Sequence, residues 1–230
     1  MARTRTLTQL IADVRRVADI EGQNATTGRH TDSALTREIN QSIQAFRLMV
    51  SEAGHDYYRV AFAGTVPAGS NLTNIPTNLV RCYAVLMGLS STSDLWELEP
   101  ATWRNLNQYG TATRGAPRFY RISGSSFILH PTTDRDYYAV VNYLDTGTDL
   151  SAGSDTFDGI AGWEEWIVYD VACKVSTRDR DGERFGILAT ERGKLESAIR
   201  DQAPRLVKEA AHGEDTRWNR RQSWRRQWWP

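Results

Sequence analysis

The stretch Phe46-Arg47-Leu48-Met49-Val50-Ser51-Glu52-Ala53-Gly54-His55-Asp56-Tyr57-Tyr58-Arg59-Val60-Ala61-Phe62 decides the fold class. Up to Val50 the apolar residues recur every three or four positions, the period of a helix with one buried face. Beyond Asp56 the run Tyr57-Tyr58-Arg59-Val60-Ala61-Phe62 is aromatic and β-branched and reads as a strand, ended by Gly64 and Pro67. Gly54 is the stop between the two regimes. A chain that changes period here, and changes back later, belongs to the α+β class.

Upstream, Leu7, Leu10, Ile11, Val14 and Val17 form one apolar stripe with Thr6 as N-cap. Leu35, Ile39, Ile43, Phe46 and Val50 form a second, opened by Thr31 or Asp32. A polar loop from Gly22 to His30 joins them, so an αα-hairpin is predicted. Downstream, Leu79–Met87 is another apolar, β-rich run, and Glu99–Tyr109 reads as a short helix with Trp103 and Leu106 on one side. The segments 118–123 and 126–130 flank Gly124-Ser125, a two-residue hairpin signal. Tyr137–Leu144 is a further strand, and 146–162 is a loop with four glycines. Helix returns at Trp163, with Ile167, Val171 and Val175 in its stripe, Glu164 and Glu165 near its start, and Lys174 and Arg178 near its end, as the macrodipole favours. A last helix follows the turn 178–182, marked by Leu188, Leu195 and Ile199; Pro204 is expected to interrupt it after about Ala203, with a helical continuation open to 205–211 before Gly213.

The predicted architecture is a helical bundle from 1–56 and 160–212, an inserted antiparallel β-rich domain at 57–159, and an extended C-terminal arm at 213–230. At 230 residues the chain is long enough for one good core or two small ones. No run of 18 apolar residues exists, and the N-terminal residues lack the apolar core of a signal peptide. Cys82 and Cys173 each sit in an apolar run and read as buried free thiols.

The catalytic spacings are missing. There is no phosphate-binding Gly-x4-Gly-Lys loop, no Gly-x-Gly-x-x-Gly, no His-Glu-x-x-His, no Cys-x-x-Cys and no Gly-x-Ser-x-Gly. We therefore expect no enzyme, no metal site and no cofactor. Asp145-Thr146-Gly147 resembles the aspartic-protease triplet but is ordinary chemistry for leaving a strand. Asp179-Arg180-Asp181-Gly182-Glu183 has a faint calcium-loop look without the full ligand set, and reads as a helix–helix turn.

Charge and aromaticity are unevenly placed. The chain carries 28 basic and 28 acidic residues, and residues 216–230 hold five arginines and no acid, leaving 23 basic against 28 acidic side chains elsewhere. That tail also holds four of the eight tryptophans. Trp and Arg are the residue types most enriched at binding hot spots, and free indoles on a solvated tail are a solubility liability. Three readings compete for this arm: a disordered terminus, a nucleic-acid or membrane arm, and a docking arm seated in pockets of a partner.

The ordered pattern of the whole chain resembles the head–tail adaptor, or connector, proteins of tailed bacteriophages of podovirus and siphovirus type. The resemblance rests on the Leu7–Val17 helix, Ala34-Leu35-Thr36-Arg37-Glu38-Ile39-Asn40, and Ile75-Pro76-Thr77-Asn78-Leu79. It continues through Ala116-Pro117-Arg118-Phe119-Tyr120-Arg121-Ile122-Ser123-Gly124, Phe127-Ile128-Leu129-His130-Pro131 and the Tyr137–Leu144 strand before the Trp163 helix. It implies a virion structural protein at the head–tail interface, assembled in the host cytoplasm. It further implies a ring of twelve copies, with portal protein on one side and a tail or head-completion protein on the other. Genomic DNA would pass through the channel without specific binding during ejection, and no membrane would be involved. The portal-facing anchors implied are Arg217, Trp218, Arg220, Arg221, Trp224, Arg225, Arg226, Trp228 and Trp229. The alternative is a nucleic-acid-binding module using the same Arg/Trp arm.

Overall fold

Helix α2 (Asp32–Glu52) ends at Ala53, and Gly54 follows at φ 88°, a left-handed conformation that glycine adopts without strain. The next turn, Asp56–Tyr58, is a 3-10 turn that leads into the first strand. The change of period thus marks a real change of structure. The computed structural model describes residues 5–225 except 24, 55, 71–74, 103–112, 125 and 161, and gives the backbone alone over 205–225. The chain is α+β, with two compact units: Met1–Tyr57 with Thr148–Pro230, and Tyr58–Gly147.

The first unit is helical. In α1 (Leu7–Val17) the Thr6 hydroxyl accepts from the Gln9 backbone N–H, and the Gln9 side chain accepts from the Thr6 N–H. This reciprocal capping box satisfies two otherwise orphaned donors. Leu7, Leu10 and Val14 are buried. Helix α2 is capped by Thr31 and buries Leu35, Ile39, Ile43, Phe46 and Val50. Both helices contact α3 (Glu164–Asp179). At their meeting point the fully buried Phe46 ring lies 5.8 Å from Phe157, 6.4 Å from Trp163 and 5.9 Å from Trp166. The loop before α3 is tied to the same unit: Asn40 exchanges two hydrogen bonds with the Leu150 backbone, and Thr6 bridges Thr156.

A polar layer crosses the helical seams. Asp170 of α3 accepts from Ser42 of α2 at 2.8 Å and pairs with Lys174 at 3.1 Å and Arg192 at 2.8 Å. Glu38 pairs with Arg178 at 2.7 Å, and buried His30 meets Asp179 at 3.0 Å. At the N-terminal end, Arg5 reaches Asp13 at 2.9 Å and buried Glu164 at 3.4 Å.

The second unit contains β1 (Arg59–Val66), β2 (Leu79–Gly88), β3 (Trp96–Pro100), β4 (Arg114–Gly115), β5 (Phe119–Ser123), β6 (Ser126–His130), β7 (Thr132–Thr133) and β8 (Tyr137–Asp145). Six strands form one sheet in the order β1-β8-β2-β3-β5-β6, and β4 pairs with β7. Alternate residues of β8, Tyr137, Ala139, Val141 and Tyr143, point into a core with Val85, Met87, Leu98, Phe127 and Leu129. The hairpin around Gly124 forms as expected, with Gly124 at φ 57° and Tyr120 opposite Leu129.

Three expectations are corrected. The β unit is mixed rather than antiparallel, because β3 runs parallel to β5 and β4 parallel to β7. Glu99 and Pro100 belong to strand β3, held by hydrogen bonding alongside Phe119 and Tyr120; the rest of the helix expected at Glu99–Tyr109, with Trp103 and Leu106, lies outside the described residues. The C-terminal region is helical rather than extended: α4 runs Gly182–Arg225 with Pro204 inside it. A proline removes one hydrogen bond, but Arg205-Leu206-Val207-Lys208-Glu209-Ala210-Ala211 is rich in helix formers and carries the helix onward.

Candidate docking helix

The turn into α4 is built from Asp179–Glu183. Arg180 takes a left-handed conformation at φ 60° to end α3, and the Asp181 carboxylate accepts from the Arg184 N–H at 3.0 Å to cap α4. The Asp179 carboxylate faces His30 and Arg29. These carboxylates are engaged in folding the turn, in agreement with its reading as a helix–helix connection.

The first half of α4 packs on α3. Leu188, Ile199 and Ala203 are buried, and Arg192 crosses to Asp170. The Trp163 indole N–H donates to the Gln202 side chain at 3.4 Å. Since Trp163 immediately precedes α3, this bond marks the point along α4 where α3 begins. From Pro204 to Arg225 the α4 backbone continues for another 22 residues, about 33 Å at the helical rise.

That overhang carries Arg217, Trp218, Arg220, Arg221, Trp224 and Arg225; Arg226, Trp228 and Trp229 lie outside the described residues. Helical spacing puts positions 217, 221 and 225 on one face. Cationic residues near a helix C-terminus are favoured by the macrodipole. The sequence pointed to these residues by composition, but gave no sign that they ride on a helix continuous with the packed one, since no apolar stripe runs through 213–225.

The other sequence candidates have structural roles. Asp145 ends β8 opposite Leu79; Thr146 donates to the Asn78 carbonyl at 2.9 Å, and Gly147 turns the chain at φ 74°. This is the strand exit that Asp-Thr-Gly chemistry suits. Cys173 is buried and Cys82 half-buried, both as free thiols, and burial pushes both thiols up. Tyr120, hydrogen-bonded to Cys82 across the β core, is pushed up to about 12, chiefly by burial. Thiols held in this way stay protonated and unreactive near neutral pH. The feature that sequence reasoning missed is the Ser42–Asp170–Lys174–Arg192 cluster. Its one local signal is the i, i+4 pair Asp170 and Lys174 on α3.

No helix among the described residues is long and apolar enough to cross a membrane. A search of the curated proteins finds no match. The profile of the SU10 adaptor protein family matches residues 5–225, almost the full length, and the chain belongs to this phage head–tail adaptor family.

Proposed function

We propose that the chain forms the ring adaptor between portal and tail of a phage virion and docks on the portal through the C-terminal end of α4. Family membership implies a structural, non-enzymatic role at the head–tail interface, with portal and tail proteins as neighbours. The finer reading rests on one observation: the α4 backbone continues to Arg225, beyond Gln202, whose side chain meets Trp163 at the start of α3, and positions 217–225 of the Arg/Trp segment lie on that continuation. A helix presenting Arg and Trp suits a groove lined by acidic and apolar groups.

In this reading Arg217, Trp218, Arg220, Arg221, Trp224, Arg225, Arg226, Trp228 and Trp229 are the anchors, and the ring has twelve copies. One arm per copy multiplies a modest affinity into avidity. Outside residues 216–230 the chain has five more acidic than basic residues, which suits a channel that DNA crosses without being gripped. The test is deletion of 213–230. Loss of binding to isolated portal rings with unchanged DNA affinity supports the proposal. A steep, salt-dependent loss of DNA binding on the same deletion makes the segment a nucleic-acid arm instead.

A further inference from the structure

The face of α4 that meets α3 is fixed by contacts. Leu188, Ile199 and Ala203 are buried, Arg192 reaches Asp170, and Gln202 accepts from the Trp163 indole. The opposite face is open: Thr190, Ser197 and Asp201 are exposed. Helix α3 begins beside Gln202, and the chain before it does not prolong its axis. Gly162 turns the backbone at φ 92°, and the preceding loop is tied to α1 and α2 through Thr156 and Leu150. Because the α4 backbone is helical through to Arg225, the phase set by these contacts carries forward. Eighteen residues make about five full turns, so a position regains its place around the helix at that interval. Leu188 thus shares its place with Leu206 and, one interval on, with Trp224. Ile199 shares its place with Arg217, Gln202 with Arg220, and Ala203 with Arg221. Exposed Asp201 aligns instead with Asn219, and Ser223 follows Asn219 one turn later.

We propose that portal binding uses this one face of α4, along which a portal helix bearing carboxylates continues the place that α3 fills on the first half. The proposal rests on the docking role argued above and specifies the surface and the chemistry of its partner. A helix already occupies the first half of the face, and there the Asp170 carboxylate meets Arg192. Ala210 and Gly213, which regain the places of Arg192 and Leu195, are small enough for a second helix to approach closely. Residues 216–225 hold four arginines and no acid, so the counter-charges come from the occupant. Glu214, one turn before Arg217, offsets one of them at most. Leu206 and Ala210, on the same face, suit the apolar side of a helix and not a phosphate backbone.

Two pairs of substitutions with the same net charge change test the face. Arg217→Gln with Arg221→Gln lies on it, and Asn219→Glu with Ser223→Glu lies opposite. In titrations of the full chain against isolated portal rings, the first pair should weaken binding about tenfold or more and the second less than about twofold. A carbodiimide, which joins an amine to a carboxylate without a spacer, reads the partner's chemistry. Arg221→Lys should couple to portal, whereas Asn219→Lys should give only the level of the unsubstituted chain. Lysine is a good helix former, so these variants hold the test even where a charge pair lowers helicity. Equal weakening by the two pairs, or coupling from position 219 as strong as from 221, overturns the proposal. So does a loss of DNA binding by the first pair with portal binding unchanged. If deletion of 213–230 abolishes portal binding while both pairs bind like the parent chain, the docking role stands and this face falls. A deletion that leaves portal binding intact removes the docking role itself.

Discussion

The helical unit and the β unit bury very different chemistry. Of the buried polar or charged side chains among the described residues, His30, Glu38, Ser42, Glu164, Asp170 and Ser176 lie in the helical unit, and Thr133 alone lies in the β unit. The difference follows from how each kind of element fixes its register. Strands are locked by backbone hydrogen bonds and by face parity, so an all-apolar interior specifies one arrangement. Apolar helix stripes can slide by a turn with little change in buried area. Asp170 meeting Ser42 on one neighbour and Arg192 on another removes that freedom, as buried polar groups do where they set registry.

The largest effects should look alike in the two units. Phe46→Ala and Phe127→Ala each delete a fully buried ring, and each should cost about 4 kcal/mol. Native-state hydrogen exchange should localise the first loss to α1, α2 and α3 and the second to β5, β6 and β8. Equal losses in both units from either change would break the comparison. Next comes Asp170→Ala, expected to cost about 3 kcal/mol because it leaves Lys174 and Arg192 without their buried partner. A cost below about 1 kcal/mol in thermal melts would show that the polar layer is incidental. Thr6→Ala removes one capping bond and should cost about 1 kcal/mol, confined to α1.

The smallest effect separates the units by pH. Burial alone would push the Asp170 carboxyl up, but Ser42, Lys174 and Arg192 together outweigh it and hold it below the usual carboxylate range. Its contribution is complete above the unfolded value of about 3.9 and is lost as pH falls through the lower folded value. His130, in β6, is pushed down by burial and then by Arg121. The unfolded chain therefore takes up its proton first, and this contribution starts to fade as pH falls below about 6.5. Exchange rates measured from pH 7 to pH 3, with appropriate correction for intrinsic rates, should show the β unit weakening first. His130→Gln should flatten that early response.

Much of this was legible in local sequence because local sequence is where the cause lies. The α1 and α2 stripes, the Thr6 and Thr31 caps, the stop at Gly54 and the hairpin at Gly124 each depend on residues a few positions apart. The parallel pairing of β3 with β5 depends on chain paths between distant segments, and Trp96–Pro100 contains only one buried side chain, Leu98, to announce a strand. The unbroken passage of α4 through Pro204 and on past Gly213 was hidden for a different reason, although 205–211 was legible as a helical stretch. Proline and Gly213 are each unfavourable alone, yet their helix-forming neighbours prevail. The Arg/Trp segment stood out by composition, whereas its helical backbone did not, because nothing in 213–225 repeats with an apolar period.

The central claim is that the end of α4 is what meets the portal. Hydrogen exchange of the full chain, free and bound to isolated portal rings, measures this directly. The account predicts slowed exchange concentrated in 205–225 on binding, with α1, α2 and α3 unchanged. Unaltered exchange in that segment, with new protection in β1 or elsewhere in the β unit, would contradict it.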